Sequence, residues 1–539
     1  MLRLPLICSL IGALVLNACG DDETPPADSG SEDAAADATP DADGMATPPP
    51  VVSTPSGPVQ GQRGLGYLEF LGIPYAEPPV GDLRFAPPQP HPGWTEPVVS
   101  ARSSGCPQAA FGLNTGDEDC LYVNVHTPDP MPEDAPVMVW IHGGAYIFGE
   151  GVQTDGGTRG DLLAKDHGVV VVSMNYRLGS FGFFVHGDDV RGNFGIQDQR
   201  LALEWVQTHI ASFGGDPENV TLFGESAGGQ SVCLHLVSPE SRGLFTRAIS
   251  QSGFCAQALP TIDDMRAISD PLVAALGCDT EADPMTCMRD KTRDELIDAD
   301  VAPSGMSALT AAGSWWPNVD GTVIPDQFEA VVGTGEIAEV PTIIGWNKDE
   351  GTLFVMLAEQ AGLVVDEAAY TAQIAALASN AGVDAADVEA QYPIADYADP
   401  GAALAAATGH AAIICPSRRA ARLLADRVET RVYRFEYPNA AFQLGATREL
   451  GAFHSAEIQY VFGHPSQLGR VAHSGDDLTL FETMSGYWTR YATSGEPGGS
   501  AAPVDWPLWD EATDTHLAID VSPSTGVGAD ADPCTLWGS

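Results

Sequence analysis

The sequence predicts an α/β protein, in which a central, mostly parallel sheet is flanked by helices and capped by helical insertions. Three observations carry this. Pro136-Val137-Met138-Val139-Trp140-Ile141 and the valine-rich run from Gly168 to Met174 are continuous apolar segments of strand length, the pattern of strands buried on both faces. From Asp198 to Phe213, Leu201, Leu203, Trp205, Val206 and Ile210 recur at helical spacing. Val220-Thr221-Leu222-Phe223 then reads as another buried strand, and strands alternating with helices imply parallel crossovers.

The remaining elements follow in order. Globular composition begins at Val51, and Phe70 to Pro79 leads to Arg84-Phe85 and Trp94. Leu121-Tyr122-Val123-Asn124-Val125 reads as a strand. The run at 136–141 ends at His142-Gly143-Gly144-Ala145, and the run at 168–174 closes at Asn175-Tyr176-Arg177. Ala248 to Gly253, Thr342 to Gly345 and Arg431 to Tyr437 read as later strands. Ala-rich helical stretches over roughly 260–300, 366–392 and 400–428 read as cap insertions. Leu478, Phe481, Met484, Trp488 and Tyr491 trace one helical face, read as core. There is no internal repeat.

A chain of 539 residues with 44% hydrophobic and 8% aromatic content can bury a large core. Its formal charge is −48, from 73 acidic against 25 basic residues. Such a surface repels nucleic acid and anionic membranes, so neither is an expected partner. Residues 1–18 read as a signal peptide, with Arg3 as a basic start and Leu4 to Leu16 as an apolar segment too short to span a bilayer. Leu16-Asn17-Ala18-Cys19 resembles a bacterial lipobox, which places cleavage before Cys19 and lipid on its sulfur. The other reading is a plain secretory signal with an incidental cysteine. Residues 19–50 are acidic, low in complexity and free of lysine and arginine, hence a self-repelling disordered linker; 51–539 is the globular domain. Membrane association is expected only through the lipid, on an exported protein at a bacterial membrane (periplasm or cell surface), otherwise secreted.

The chemistry centres on Gly224-Glu225-Ser226-Ala227-Gly228, between the strand at 220–223 and a helical start at Gly229 to Leu236. A serine between glycines at a strand-to-helix corner is a nucleophile elbow: the turn is so sharp that neighbouring side chains must be nearly absent. The helix behind it aims N–H groups at the same spot. A serine hydroxyl needs a base to take its proton, commonly a histidine oriented by a carboxylate. On such sheets the chain order is serine, acid, histidine. Asp349-Glu350-Gly351, after the strand at 342–345, supplies the acid. Of the histidines beyond it (His410, His454, His464, His473 and His516), His454 lies in a small-residue turn, Gly451 to Glu457, where a base can swing over the serine. His142-Gly143-Gly144 is a glycine-rich oxyanion loop, so Gly143 and Gly144 would offer N–H groups together with Ala227. Acyl transfer of this kind uses neither metal nor cofactor. With an unperturbed histidine as base, activity should fall on the acid side around pH 6–7.

With these motifs the sequence resembles the type-B carboxylesterases, the carboxylesterase and cholinesterase group of α/β-hydrolases. The resemblance spans roughly 51–539. It rests on Gly72-Ile73-Pro74-Tyr75-Ala76, Glu118-Asp119-Cys120-Leu121, His142-Gly143-Gly144, Asn175-Tyr176-Arg177-Leu178, Phe213 to Pro217, Gly224 to Gly229, Gln251-Ser252-Gly253, Val319-Asp320-Gly321, Asp349-Glu350-Gly351 and Tyr460 to Gly463. It implies the α/β-hydrolase fold and a Ser226, Glu350 and His454 triad with the oxyanion donors above. Ser455 stands where the family usually has glycine after its histidine.

The sequence holds ten cysteines, none in C-x-x-C spacing, so a zinc site is not expected and an exported chain would form disulfides. Cys8 leaves with the signal and Cys19 is the lipid site. The resemblance implies bridges Cys106–Cys120, Cys278–Cys287 and Cys415–Cys534; Cys233 and Cys255 are then left as a fourth pair. It also implies a structural salt bridge between Arg84 and Glu118, against the alternative of an exposed pair worth under about 1 kcal/mol. The substrate expected is a small uncharged carboxylic ester. Cholinesterases hold a quaternary ammonium by a tryptophan in the first disulfide loop, whereas Pro107 to Asp119 contains only Phe111 as an aromatic. Trp315-Trp316 lines an acyl pocket or packs in the core. Two other functions fit the resemblance: an amidase or carbamate hydrolase with the same triad, and a non-catalytic adhesion protein like the neuroligins, which lack the serine.

Overall fold

In the computed structural model the apolar runs become neighbouring strands of one eleven-stranded mixed sheet. The structure describes residues 48–110, 113–153, 157–300, 315–438, 448–464 and 475–538. The signal segment, Cys19, most of the linker, Phe111 and His473 lie outside the described residues. In chain order the strands are β1 (Gln62–Arg63), β2 (Tyr67–Pro74), β3 (Tyr122–Pro128), β4 (Ala135–Ile141), β5 (Val170–Met174), β6 (Gly215–Glu225), β7 (Arg247–Gln251), β8 (Thr342–Asn347), β9 (Thr430–Phe435), β10 (Thr515–Ile519) and β11 (Ser524–Val527). Across the sheet they run β11-β10-β9-β8-β7-β6-β4-β5-β3-β2-β1. The block from β10 to β5 is parallel throughout. The strands β11, β3, β2 and β1 join antiparallel at the two edges.

Two-sided burial explains why the central strands lack polar alternation. Along β4, Val137, Val139 and Ile141 enter one core cluster while Met138 and Trp140 enter the other. The neighbours obey the same period of two: Val170 and Val172 on one face, Val171 on the other. After β5 the chain returns to the far side of β4 to lay down β6. In open α/β sheets ligands bind outside the carboxyl ends of the strands at such a reversal.

The helices expected between the strands are present. Helix α1 (Phe194–His209) tightens into a 3₁₀ turn at Ile210–Phe213. Helix α2 (Ala227–Val237) is buried along its whole length behind the elbow. The Ala-rich insertions form helices at Ile262–Ala275, Pro284–Asp290, Arg293–Ala299, Glu367–Ala381 and Ala385–Gln391. Helix α3 (Thr352–Gln360) follows the candidate acid; α4 (Pro400–Gly409) passes through a π turn at His410–Ile414 into α5 (Cys415–Ala425). Among the described residues no helix is long and apolar enough to cross a membrane.

One element of the predicted core is corrected. In helix α6 (Gly475–Ser494), Phe481, Met484, Trp488 and Tyr491 are buried, but Leu478 is 54% exposed. The inward positions of the first turns go to Asp477 and Leu480, which continue the i, i+3, i+4 stripe of Phe481, Met484 and Trp488. Leu478 falls beside that stripe. Trp315 and Trp316 are core residues: Trp316 packs edge-on to Tyr146 and near Phe254, and Trp315 donates its indole N–H to Asp300.

All four disulfides are formed: Cys106–Cys120, Cys233–Cys255, Cys278–Cys287 and Cys415–Cys534. Closing a loop of roughly 15 residues, the size of the first, stabilises by about 3 kcal/mol in the chain-entropy picture. Arg84 and Glu118 form a two-pronged pair, with side chains only 8% and 11% exposed, so the exposed alternative does not hold. The same guanidinium donates to the carbonyls of Arg289 and Lys291, tying the first disulfide loop to the segment after the third bridge.

The corrected stripe predicts unequal costs in α6. Leu480→Ala should lower stability by about 2–5 kcal/mol, and Leu478→Ala by less than about 0.5 kcal/mol. Equal costs in chemical denaturation would refute the assignment of the buried face.

Candidate active site

The carboxyl ends of β4, β6, β7 and β8 lie side by side, and each delivers part of the site. Register places Gly224 beside Ile141, Glu225 beside Gln251, and Gln251 beside Gly345. Ser226 follows β6 at φ 56°, ψ −123°, a conformation that costs a non-glycine residue on the order of 1–3 kcal/mol. Its N–H donates to Gln251 O at 2.9 Å, which holds the corner against β7. The flanking glycines have a steric cause. A Cβ on Gly224 would sit 2.6 Å from the Gly228 carbonyl group and 2.8 Å from Ile141 O, and one on Gly228 would collide with Ile141 O.

Glu350 and His454 meet as the sequence predicts, with His454 Nδ1 2.6 Å from Glu350 Oε2. The other oxygen of Glu350 accepts from Ser252 Oγ at 2.6 Å and from the Asn347 N–H at 2.8 Å. Asp349 does different work. Its N–H donates to Ala452 O, and its carboxylate accepts from the Ala452 N–H, both at 2.9 Å. It thereby clamps the turn that carries His454. Ser455 adopts φ 69°, the left-handed backbone glycine would take more easily, and its hydroxyl donates to His454 O. The turn thus keeps its shape with serine there. Phe354 of α3 packs on the imidazole with ring centres 5.0 Å apart.

Facing the serine, Gly143 approaches so closely that a Cβ would lie 3.0 Å from Ser226 Cβ. Among the described residues the N–H groups of Gly143, Gly144 and Ala227 have no acceptor, and neither does that of Ala145. His142 stacks on Tyr176 at 4.4 Å, Tyr176 donates to His142 O, and burial pushes the His142 imidazole down to about 4, so it is neutral. Of the other histidines, His464 pairs with Asp161 and His410 faces Asp530, while His516 is buried elsewhere in the core. None of these three contacts Ser226 or Glu350. Among the described residues no group of His, Cys, Asp and Glu is arranged to hold a metal ion.

The sequence reading named Glu350 but missed two more buried carboxylates, Glu225 and Glu457, gathering round the same imidazole. Glu225 Oε1 lies 3.2 Å from His454 Nε2, while the Ser226 hydroxyl makes no hydrogen bond among the described residues. Behind them Glu457 accepts from Gln251 Nε2 at 3.0 Å and from Asn347 Nδ2 at 2.6 Å. Burial opposes the imidazolium, but Glu225, Glu350 and Glu457 outweigh it and raise the pKa of His454. Burial likewise raises Glu225, with Glu457 and Glu350 adding to it. The close pair titrates as a unit. A charged residue inside the elbow motif was the available signal. Ser252, Glu457 and Ala145 carried none that composition or periodicity could separate from packing.

A serine at a sharp β6–α2 corner, beside a carboxylate–histidine pair on the carboxyl edge of a parallel sheet, defines a hydrolase of the α/β-hydrolase fold. The comparisons narrow this. Residues 48–537 match the carboxylesterase family. The liver carboxylesterase of Sus scrofa is 33% identical over 541 residues, covering 92% of this chain and 93% of that protein. The acetylcholinesterase of Danio rerio is 33% identical over 567 residues, covering 92% and 88%. A solved structure of a PNB esterase superposes with a TM-score of 0.79 at 30% identity, covering 90% of this chain and 99% of that one. The chain belongs to the carboxylesterase family and is a carboxylic ester hydrolase.

Were His454 the base of ester hydrolysis, it would have to be neutral to accept a proton, and its raised pKa would carry the acid limb of kcat/KM alkaline. That limb should then lie above the value of about 6.5 of a free histidine. Glu225→Gln removes an opposite charge and should bring the limb down by about one unit or more. A pH–rate profile of ester hydrolysis unmoved by Glu225→Gln would refute the coupling.

Proposed function

We propose that the protein hydrolyses small uncharged carboxylic esters through an acyl-enzyme, with Ser226 as nucleophile, His454 as general base and acid, and Glu350 as the orienting carboxylate. The 2.6 Å bond from His454 Nδ1 to Glu350, beside a serine in elbow geometry, carries this reading. Ser226 Oγ attacks the ester carbonyl while its proton passes to His454 Nε2. The carbonyl electron pair moves to oxygen, where the N–H groups of Gly143, Gly144 and Ala227 receive it; the Ala145 N–H points to a further donor. Each such donor is worth about 2.7–4 kcal/mol of transition-state stabilisation. The imidazolium returns the proton to the departing alcohol, and water repeats the sequence on the acyl-serine. Before attack the imidazole must exchange Glu225 for the serine hydroxyl, a tightening common on substrate binding.

An uncharged substrate is supported by the composition of the first disulfide loop, whose sole aromatic is Phe111, too little to enclose a quaternary ammonium. Rates on p-nitrophenyl esters of graded chain length, beside matched anilides, separate an esterase from an amidase. Anilides cleaved as fast as esters would overturn the ester preference.

Residues 1–18 direct export, lipid on Cys19 anchors the chain, and 19–50 tethers a domain spanning 51–539. Export also fits four disulfides, which persist in oxidising compartments. Full-length protein should partition with membranes and Cys19→Ser should release it with kcat unchanged. A mature N-terminus without lipid, read by mass spectrometry, would overturn the anchor and leave the esterase reading intact.

Two substitutions test the triad. Ser226→Ala should lower kcat by on the order of a millionfold, as for the nucleophile of a well-studied serine hydrolase, with the fold unchanged by circular dichroism. Glu350→Gln should lose on the order of 10⁴ in kcat, and Asp349→Asn far less, because the asparagine oxygen can still accept from Ala452. The reverse order, with both proteins folded, would make Asp349 the catalytic acid.

A further inference from the structure

The oxyanion loop is held from outside by one side chain of the first disulfide loop. Gln108, two residues after Cys106, meets both backbone groups of Gly149: its Nε2 donates to Gly149 O at 3.0 Å and its Oε1 accepts from the Gly149 N–H at 2.9 Å. The same Nε2 donates to Cys106 O at 3.0 Å, which fixes the amide to the disulfide itself. Gly149 in turn lies against the donor loop. At φ 123°, a Cβ there would collide with the His142 ring and sit 2.7 Å from Gly143 O. Whatever holds the Gly149 peptide therefore backs the His142 ring and the Gly143–Gly144 peptide, and Gly143 in turn faces Ser226.

We propose that Gln108 is a positioning residue for the oxyanion-binding loop, transmitting the rigidity of the Cys106–Cys120 loop to the N–H groups of Gly143 and Gly144. This rests on the oxyanion role assigned to those groups above. The residue type matters, since a primary amide offers donor and acceptor on one planar end. Glutamate keeps the acceptor and loses the donor, and methionine keeps the length and loses both. The antiparallel pairing of 108–110 with 113–115 fixes the amide's base, and Arg102 pairs with Glu150 one residue beyond the contact. The loop is thus gripped where it returns from the site, and Gln108 touches neither Ser226 nor His454.

The test uses the full-length enzyme with Gln108→Met and Gln108→Glu. It measures p-nitrophenyl butyrate hydrolysis per serine titrated with a phosphonate, and inhibition by an aryl trifluoromethyl ketone. The serine adds to that ketone: an Oγ–C bond forms, the carbonyl pair becomes an oxyanion, and the proton passes to His454. If Gln108 positions the donors, kcat falls about ten- to hundredfold with KM within about threefold, and the ketone Ki weakens in the same proportion. If a loss shows only in the melting temperature or the titratable fraction, with kcat per serine and Ki within about twofold of wild type, Gln108 is merely structural and the proposal falls. Should one variant not fold, the other decides by the same criteria. Wild-type enzyme indifferent to the ketone would overturn the oxyanion assignment and this proposal with it. Wild-type inhibition together with unchanged variants overturns this proposal alone.

Discussion

The constraint on which the rest of the site depends is the contact of α2 with the end of β4. The helix approaches until the backbone of Gly228 touches Ile141 O, leaving no room for a side chain. That approach makes the corner at Ser226 sharp, and the Ser226 N–H is secured to β7 at the same level. It also brings the loop after β4 beside Ser226, so that Gly143 and Ser226 are nearly in van der Waals contact. Parallel register then sets the remaining spacing, because β7 and β8 end at matching heights and place Ser252 and Glu350 next in line. A packing requirement among backbones thus becomes a chemical alignment of side chains.

The electrostatics follow from the same burial. Glu225, Glu350 and Glu457 are buried with a single imidazole, and a carboxylate removed from water needs a partner. Glu350 finds three donors and Glu457 finds two amides, whereas Glu225 relies on His454 alone. The site therefore offers fewer hydrogen-bond donors than its carboxylates would favour, and Glu225 is the one left short. The exposed part of the acidic excess contributes to solubility more than to this local balance, since water and salt screen exposed charges.

Much of this was legible beforehand. Continuous apolar runs marked β4, β5 and β6 because two-sided burial removes alternation, and the Gly-x-Ser-x-Gly spacing marked the corner because only glycine tolerates it. Where periodicity alone was used, it failed in one place: Leu478 shares the spacing of the buried stripe in α6, but Leu480 and Asp477 occupy the inward positions. Spacing defines a set of faces, and the neighbouring sheet selects among them. The pairing of Cys233 with Cys255 followed in sequence only from the other three pairs. In space it follows from α2 and the turn after β7 lying together.

The sequence by itself determined the central strands and the helices between them, the glycine-flanked corner at Ser226, the family, and which carboxylate and histidine would meet, because each is written in local spacing or in a motif; the edge strands β1, β2, β10 and β11 carried no such signal. Tertiary structure alone decided what surrounds them. Glu225 faces the imidazole, Ser252 donates to Glu350, Asp349 clamps the histidine turn, and Gln108 grips Gly149 across a gap of some forty residues of chain. These are contacts between segments far apart in the chain, set by sheet register and helix docking, and no local period encodes them.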